Sequence, residues 1–89
     1  MPKSIRIGYT SKFSKSLNSL PIAIQSAVVK KDAIFRLDPF DARLRTHQLK
    51  GKLEDYWAYS VNYRYRIIFK FISDLEVVYI DVGTHEVYR

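Results

Sequence analysis

Between Trp57 and Phe71 the sequence alternates. Trp57, Tyr59 and Val61 take turns with Ala58, Ser60 and Asn62; then Tyr63, Tyr65, Ile67, Phe69 and Phe71 take turns with Arg64, Arg66, Ile68 and Lys70. In extended chain, successive side chains point to opposite sides of a sheet. The pattern therefore describes two strands with one aromatic, apolar side and one side that is cationic along its second strand. The apolar side can be buried under helices, and a cationic side left open is a place for phosphate. On this reading Trp57, Tyr59, Tyr63, Tyr65, Phe69 and Phe71 belong to the core, and Arg66 lies on the opposite face.

The flanking segments supply what such a sheet needs. Residues 4–9 alternate Ile5 and Ile7 with polar neighbours and read as a first strand. Thr10 or Ser11 can cap a helix, because a hydroxyl there accepts from an unpaired N–H of the first turn. Phe13, Leu17 and Leu20 then make one apolar stripe. Pro21 ends that helix and suits the first turn of the next. The second helix is expected from Pro21 to Leu37, with Ile24, Ala27, Val28, Ile34 and Phe35 on one face. Lys31 interrupts that face and has to snorkel. Asp38-Pro39 stops it, since proline drives the residue before it out of helical geometry.

Residues 39–46 show no clean period and read as a loop or a short helical turn. Residues 47–51 read as a short edge segment, and 51–55 as a turn. Strands are expected over 56–62, 65–72 and 75–82, consecutive and closely linked, hence an antiparallel meander. The layout is β-α-α-β-β-β: a single α+β domain over residues 1–89, an antiparallel sheet with an N-terminal helical hairpin packed on one face.

Composition narrows the chemistry. The chain carries no cysteine, which excludes disulfides and thiolate metal sites. Its two histidines stand at 47 and 85, and no phosphate loop, GxSxG or His-Glu-x-x-His motif is present, so neither a metal nor another cofactor is expected. No apolar run approaches the ~20 residues of a membrane span, and no secretory leader is visible. A soluble cytoplasmic protein is expected. The net charge is +6, and residues 1–31 hold six Lys and Arg and no acid. Such a field attracts polyanions, and equally an acidic protein partner.

What remains is His47, His85, several Lys and Arg, and Tyr88. This set is sufficient to cleave RNA without metal. RNA carries its own nucleophile, the 2′-hydroxyl. The enzyme supplies a base for that proton, an acid for the leaving 5′-oxygen and cations for the charge on phosphorus. Histidine titrates near working pH, arginine matches phosphate oxygens with parallel donors, and an aromatic ring can stack a splayed base.

Leu49-Lys50-Gly51, Tyr56-Trp57, Tyr65-Arg66-Ile67-Ile68-Phe69, Val82-Gly83-Thr84-His85 and Val87-Tyr88 together resemble the RelE/ParE superfamily of toxins from toxin–antitoxin pairs. The match covers residues 47–88 closely. The resemblance implies a RelE-like fold and one of two activities. RelE-like members, including the YoeB and YafQ types, are ribosome-dependent endoribonucleases that cut mRNA in the decoding site of the small subunit. ParE-like members inhibit DNA gyrase without cleaving RNA. A basic RNA-binding domain without activity is a third reading.

For a cleaving toxin, the resemblance places a base at His47, two residues before Leu-Lys-Gly. It places the transition-state arginine at Arg66, a candidate acid at His85 and a base-positioning aromatic at Tyr88, with which histidine is acid and which is base left open. Lys50, Lys52, Arg64 and Lys70 become RNA or phosphate contacts. The YafQ-like branch carries an arginine four residues before the C-terminal histidine, where this chain has Asp81. The cationic role then falls to Arg66, as in the YoeB-like branch, and Asp81 is left to orient a histidine or to pair with an arginine. A cognate antitoxin with an acidic segment is the implied partner.

Overall fold

Every expected element forms, and its neighbours explain its limits. The structure is a computed structural model, and it describes residues 4–84. Strand β1 (Arg6–Tyr9) leads into helix α1 (Ser11–Asn18) through Thr10. The Thr10 hydroxyl accepts from the Phe13 N–H at 3.0 Å and donates to the Ile80 carbonyl at 2.7 Å. One side chain thus caps the helix and ties it to the far end of the sequence. Helix α2 (Ile22–Leu37) starts directly after Pro21 and ends at Asp38, whose φ of −158° is the extended geometry imposed by Pro39.

Strands β2 (His47–Gln48), β3 (Trp57–Ser60), β4 (Arg66–Ser73) and β5 (Glu76–Gly83) complete the sheet, with a 3-10 turn over Ala42–Leu44 before β2 and another over Gly51–Leu53 after it. The strand order is β1-β5-β4-β3-β2. The pairs β2–β3, β3–β4 and β4–β5 are antiparallel, as short links between consecutive strands require. The sheet as a whole is mixed, because β1 runs parallel to β5. The alternation of a strand says which face it buries, not which neighbour it takes. Parallel strands need a long crossover, and the two helices separate β1 from the rest of the sheet.

The helices cover one face. Phe35 of α2 is fully buried and stacks on Tyr59 with ring centroids 4.8 Å apart. It also meets Phe69 and Tyr79 edge-on at 4.9 and 5.8 Å. Phe13, Val28, Ile67, Val77 and Val82 close the same cluster, with Leu17, Ala27 and Ile34 packed against it. Both sequence-read helical stripes therefore point inward. No helix among the described residues is long and apolar enough to cross a membrane.

Five of the six expected core aromatics follow the alternation, Trp57 and Tyr59 among them, and one does not. Tyr65, Phe69 and Phe71 join or pack against the core, but Tyr63 is 89% exposed. The cause is local. The Asn62 side chain accepts from the N–H groups of Arg64 and Tyr65, both at 2.8 Å, and folds residues 62–65 into a tight turn. Period two holds only in extended chain, and it breaks at Asn62.

Candidate active site

The site starts from β3, which sets the grid. His47 of β2 pairs with Ala58, and Arg66 of β4 pairs with Ser60. Cross-strand partners and residues two apart share a face, so His47 and Arg66 lie on the same side of the sheet. They are two strand spacings apart across the sheet and two residues apart along it, about 12 Å between backbones. Two side chains of their length can flank one phosphate over that distance.

Both residues line a single cleft of about 430 Å³. Ser60, Val61, Asn62 and Tyr63 contribute the end of β3 and the turn after it; Arg43 and Arg45 contribute the loop before β2; Lys31 arrives from α2. Among the described residues, four cations and no carboxylate line this space, and a field of that sign favours a polyanion. Lys31 snorkels as expected, and the place it reaches is the cleft.

Arg43 and Arg45 were not singled out by the sequence. The signal was present in the spacing Arg43-x-Arg45-x-His47, but residues 39–46 have no period from which to read a direction. Three contacts shape that loop. Leu44 is fully buried, the Thr46 hydroxyl donates to the Pro39 carbonyl, and Asp41 accepts two bonds from the Arg43 guanidinium at 2.9 Å each. Those charge-assisted bonds, with one from the Arg43 N–H, pull the Asp41 carboxyl down to about 2 and hold the Arg43 guanidinium above its ordinary pKa.

His47 is exposed, and its Nδ1 lies 3.0 Å from the Arg45 carbonyl oxygen. A carbonyl oxygen only accepts, so Nδ1 carries the hydrogen. When the ring carries no second proton, its lone pair is then on Nε2, which is the state a general base requires.

The other expected site residues are distributed elsewhere. Lys50 and Lys52 stand exposed at the 3-10 turn over 51–53, Arg64 is exposed in the turn after β3, and none of the three lines the cleft. Lys70 is also absent from it. It lies four residues along β4 from Arg66, about 13 Å away, with its ammonium 5.9 Å from the centre of the Tyr56 ring. The face between them is closed, since Ala58 is fully buried and Ile68 is 6% exposed. His85 and Tyr88 lie outside the described residues. Asp81 is taken up by α1: it accepts from the Ser16 hydroxyl at 2.6 Å and meets the Lys12 ammonium at 3.5 Å.

This geometry has known counterparts. No curated protein matches the sequence significantly. Among solved structures, the toxin–antitoxin complex RelBE2 from Mycobacterium tuberculosis contains a chain of similar fold. Its TM-score is 0.77 at 22% identity, covering 92% of this chain and 99% of that one. A YoeB/ParE toxin from Agrobacterium tumefaciens gives a TM-score of 0.75 at 14% identity, covering 91% and 99%. YafQ from E. coli strain BL21(DE3) gives 0.68 at 19%, covering 94% and 97%. At these identities the likeness concerns the fold. The family is shown by the sequence itself, because the model for the RelE-like toxin of the type II toxin–antitoxin system HigB matches residues 8–85. This chain belongs to the HigB-like family of RelE-like type II toxins.

Proposed function

We propose that the protein is a ribosome-dependent mRNA endoribonuclease that cleaves without metal. The observation that carries the reading is the pairing of an imidazole whose Nδ1 lies 3.0 Å from a backbone carbonyl oxygen with a cleft whose described lining includes four cations. His47 takes the proton of the 2′-hydroxyl. The 2′-oxygen attacks phosphorus, the bond from phosphorus to the 5′-oxygen breaks, and a 2′,3′-cyclic phosphate remains. Arg66 stabilises the charge that builds on the phosphoryl oxygens. The resemblance to cleaving RelE-like toxins supports His85 as the donor to the 5′-oxygen and Tyr88 as the residue that positions a base.

Lys50, Lys52, Arg64 and Lys70 lie outside the cleft, and their positions suit contacts with phosphates of ribosomal RNA or of flanking mRNA. A cognate antitoxin with an acidic segment would be drawn by the same positive surface. The similar M. tuberculosis chain is from a toxin–antitoxin complex, which supports that partnership here.

The deciding experiment maps the 5′ ends of cellular mRNA after a pulse of expression. Cuts inside translated codons are expected. His47→Gln should lower cleavage by about 10²–10⁴-fold, the usual worth of a general base, and Arg66→Ala by about 10²–10³-fold. Growth arrest should ease in both while their circular dichroism stays native. DNA damage with intact mRNA would replace this reading with gyrase inhibition, and undiminished toxicity of both variants would remove the assigned roles.

A further inference from the structure

Among the described residues, Arg45 is the only one other than glycine with a positive φ, 52°, at a ψ of 41°. In that left-handed conformation an L-residue brings its Cβ against the following carbonyl oxygen. The conformation persists only where the surroundings impose it, and such positions concentrate at functional sites. Here they do impose it. Leu44 on one side is buried in the core, and His47 on the other is paired with Ala58 in the sheet. Thr46 is tied back to Pro39, and the Arg45 N–H reaches the Ala42 carbonyl at 3.4 Å.

The chemical product of this turn is the direction of one carbonyl. We propose that Arg45 is the positioning residue of the cleft: its left-handed backbone aims its carbonyl oxygen at His47 Nδ1 and thereby selects the tautomer that leaves Nε2 as proton acceptor. This rests on the reading of His47 as the base. It also accounts for an otherwise poor choice of residue. Glycine would suit the backbone better, yet the chain keeps an arginine whose side chain lines the same cleft. One residue thus serves the histidine through its main chain and the anion through its side chain.

Two substitutions separate these contributions. Arg45→Gly removes the guanidinium and favours the left-handed turn. Arg45→Val puts a β-branched residue where φ is positive, which such residues strongly disfavour. Long-range ¹H–¹⁵N correlation spectra of the labelled protein, recorded where imidazole is neutral, report which ring nitrogen of His47 holds the proton. Nδ1–H should dominate in the native protein and in Arg45→Gly. In Arg45→Val the tautomer ratio should move toward Nε2–H by roughly five- to tenfold, the worth of one hydrogen bond.

A native protein with Nε2–H dominant would overturn the proposal, as would an Arg45→Val variant with the native ratio. Should Arg45→Val fail to fold, Arg45→Ala should show a smaller shift of the same sign, and its absence counts equally against the idea. These spectra need neither RNA nor ribosome. An Nε2–H tautomer in the native protein would also take the proposed reaction's base away, whereas a native ratio kept in Arg45→Val sinks this inference alone and missing mRNA cuts sink the reaction.

Discussion

Two tyrosine hydroxyls sit inside the core, and each is tolerated because it has a partner. Tyr79 donates to Asp32 Oδ1 at 2.8 Å, so the hydrogen in the 2.9 Å contact between Tyr59 and Tyr79 comes from Tyr59. Asp32 accepts from Arg36 Nε through its other oxygen at 2.8 Å, and Arg36 reaches the Tyr9 hydroxyl at 2.9 Å. The chain of donors has a direction, and the direction ranks the mutants. Tyr59→Phe removes a donor and leaves Tyr79 on Asp32, at a cost of about 0.5–1.5 kcal/mol. Tyr79→Phe strands the buried Tyr59 hydroxyl and takes a donor from Asp32, at a cost of about 1–3 kcal/mol. Urea titrations should place Tyr79→Phe below Tyr59→Phe, and the opposite order would mean that the donors run the other way. Burial pushes both hydroxyls well above the ordinary tyrosine pKa, and for Tyr79 the neighbouring Tyr59 adds to the effect. The folded state then keeps protons that the unfolded chain releases from about pH 10. Their contribution to stability is complete below that pH and is lost as pH rises beyond it. In an ultraviolet absorbance titration, two of the seven tyrosines should ionise only as the protein unfolds. Ionisation of all seven with the fold intact would contradict this account of the core.

Residues 39–46 are the element on which the site most depends, and they were the least legible in the sequence. Leu44 is the reason they hold still. It is a fully buried side chain on a connecting segment, and it fixes the loop that carries Arg43 and Arg45. Leu44→Ala should cost about 2–5 kcal/mol, and the His47 ring resonances should broaden or shift along with the loss. A variant with native His47 signals and an undiminished melting point would show that the loop is held by its polar contacts instead. The helices were legible because their ends are written in residues with one local meaning: Thr10 as a cap, Pro21 as a start, Asp38-Pro39 as a stop. The meander was legible because alternation and short turns are also local. The parallel seat of β1 beside β5 depends on the path of two helices, and no local pattern records it. Tyr63 departs from its expected burial for a related reason. Alternation continued in the letters after the Asn62 side chain had already ended it in the backbone.

At the scale of the whole molecule, the excess of cations was plain in the sequence and its convergence was not. Net charge of +6 says that polyanions are attracted; which cations meet the polyanion is decided by direction. Lys30 and Lys31 are adjacent, yet a helix turns about 100° per residue. Lys30 is exposed, while Lys31 lines the cleft beside Arg43, Arg45 and Arg66. That neighbouring pair is a test in which composition is constant and only placement differs. Binding of single-stranded RNA releases counterions, and the logarithm of the affinity falls with the logarithm of salt by about 0.7 per phosphate contacted. If the four cleft cations make the contacts, the native slope should be near −3. Lys31→Ala should reduce its magnitude by about 0.7, and Lys30→Ala should leave it unchanged. Equal effects of the two would mean that RNA is held by the general positive field, with no privileged place for it at the end of β3.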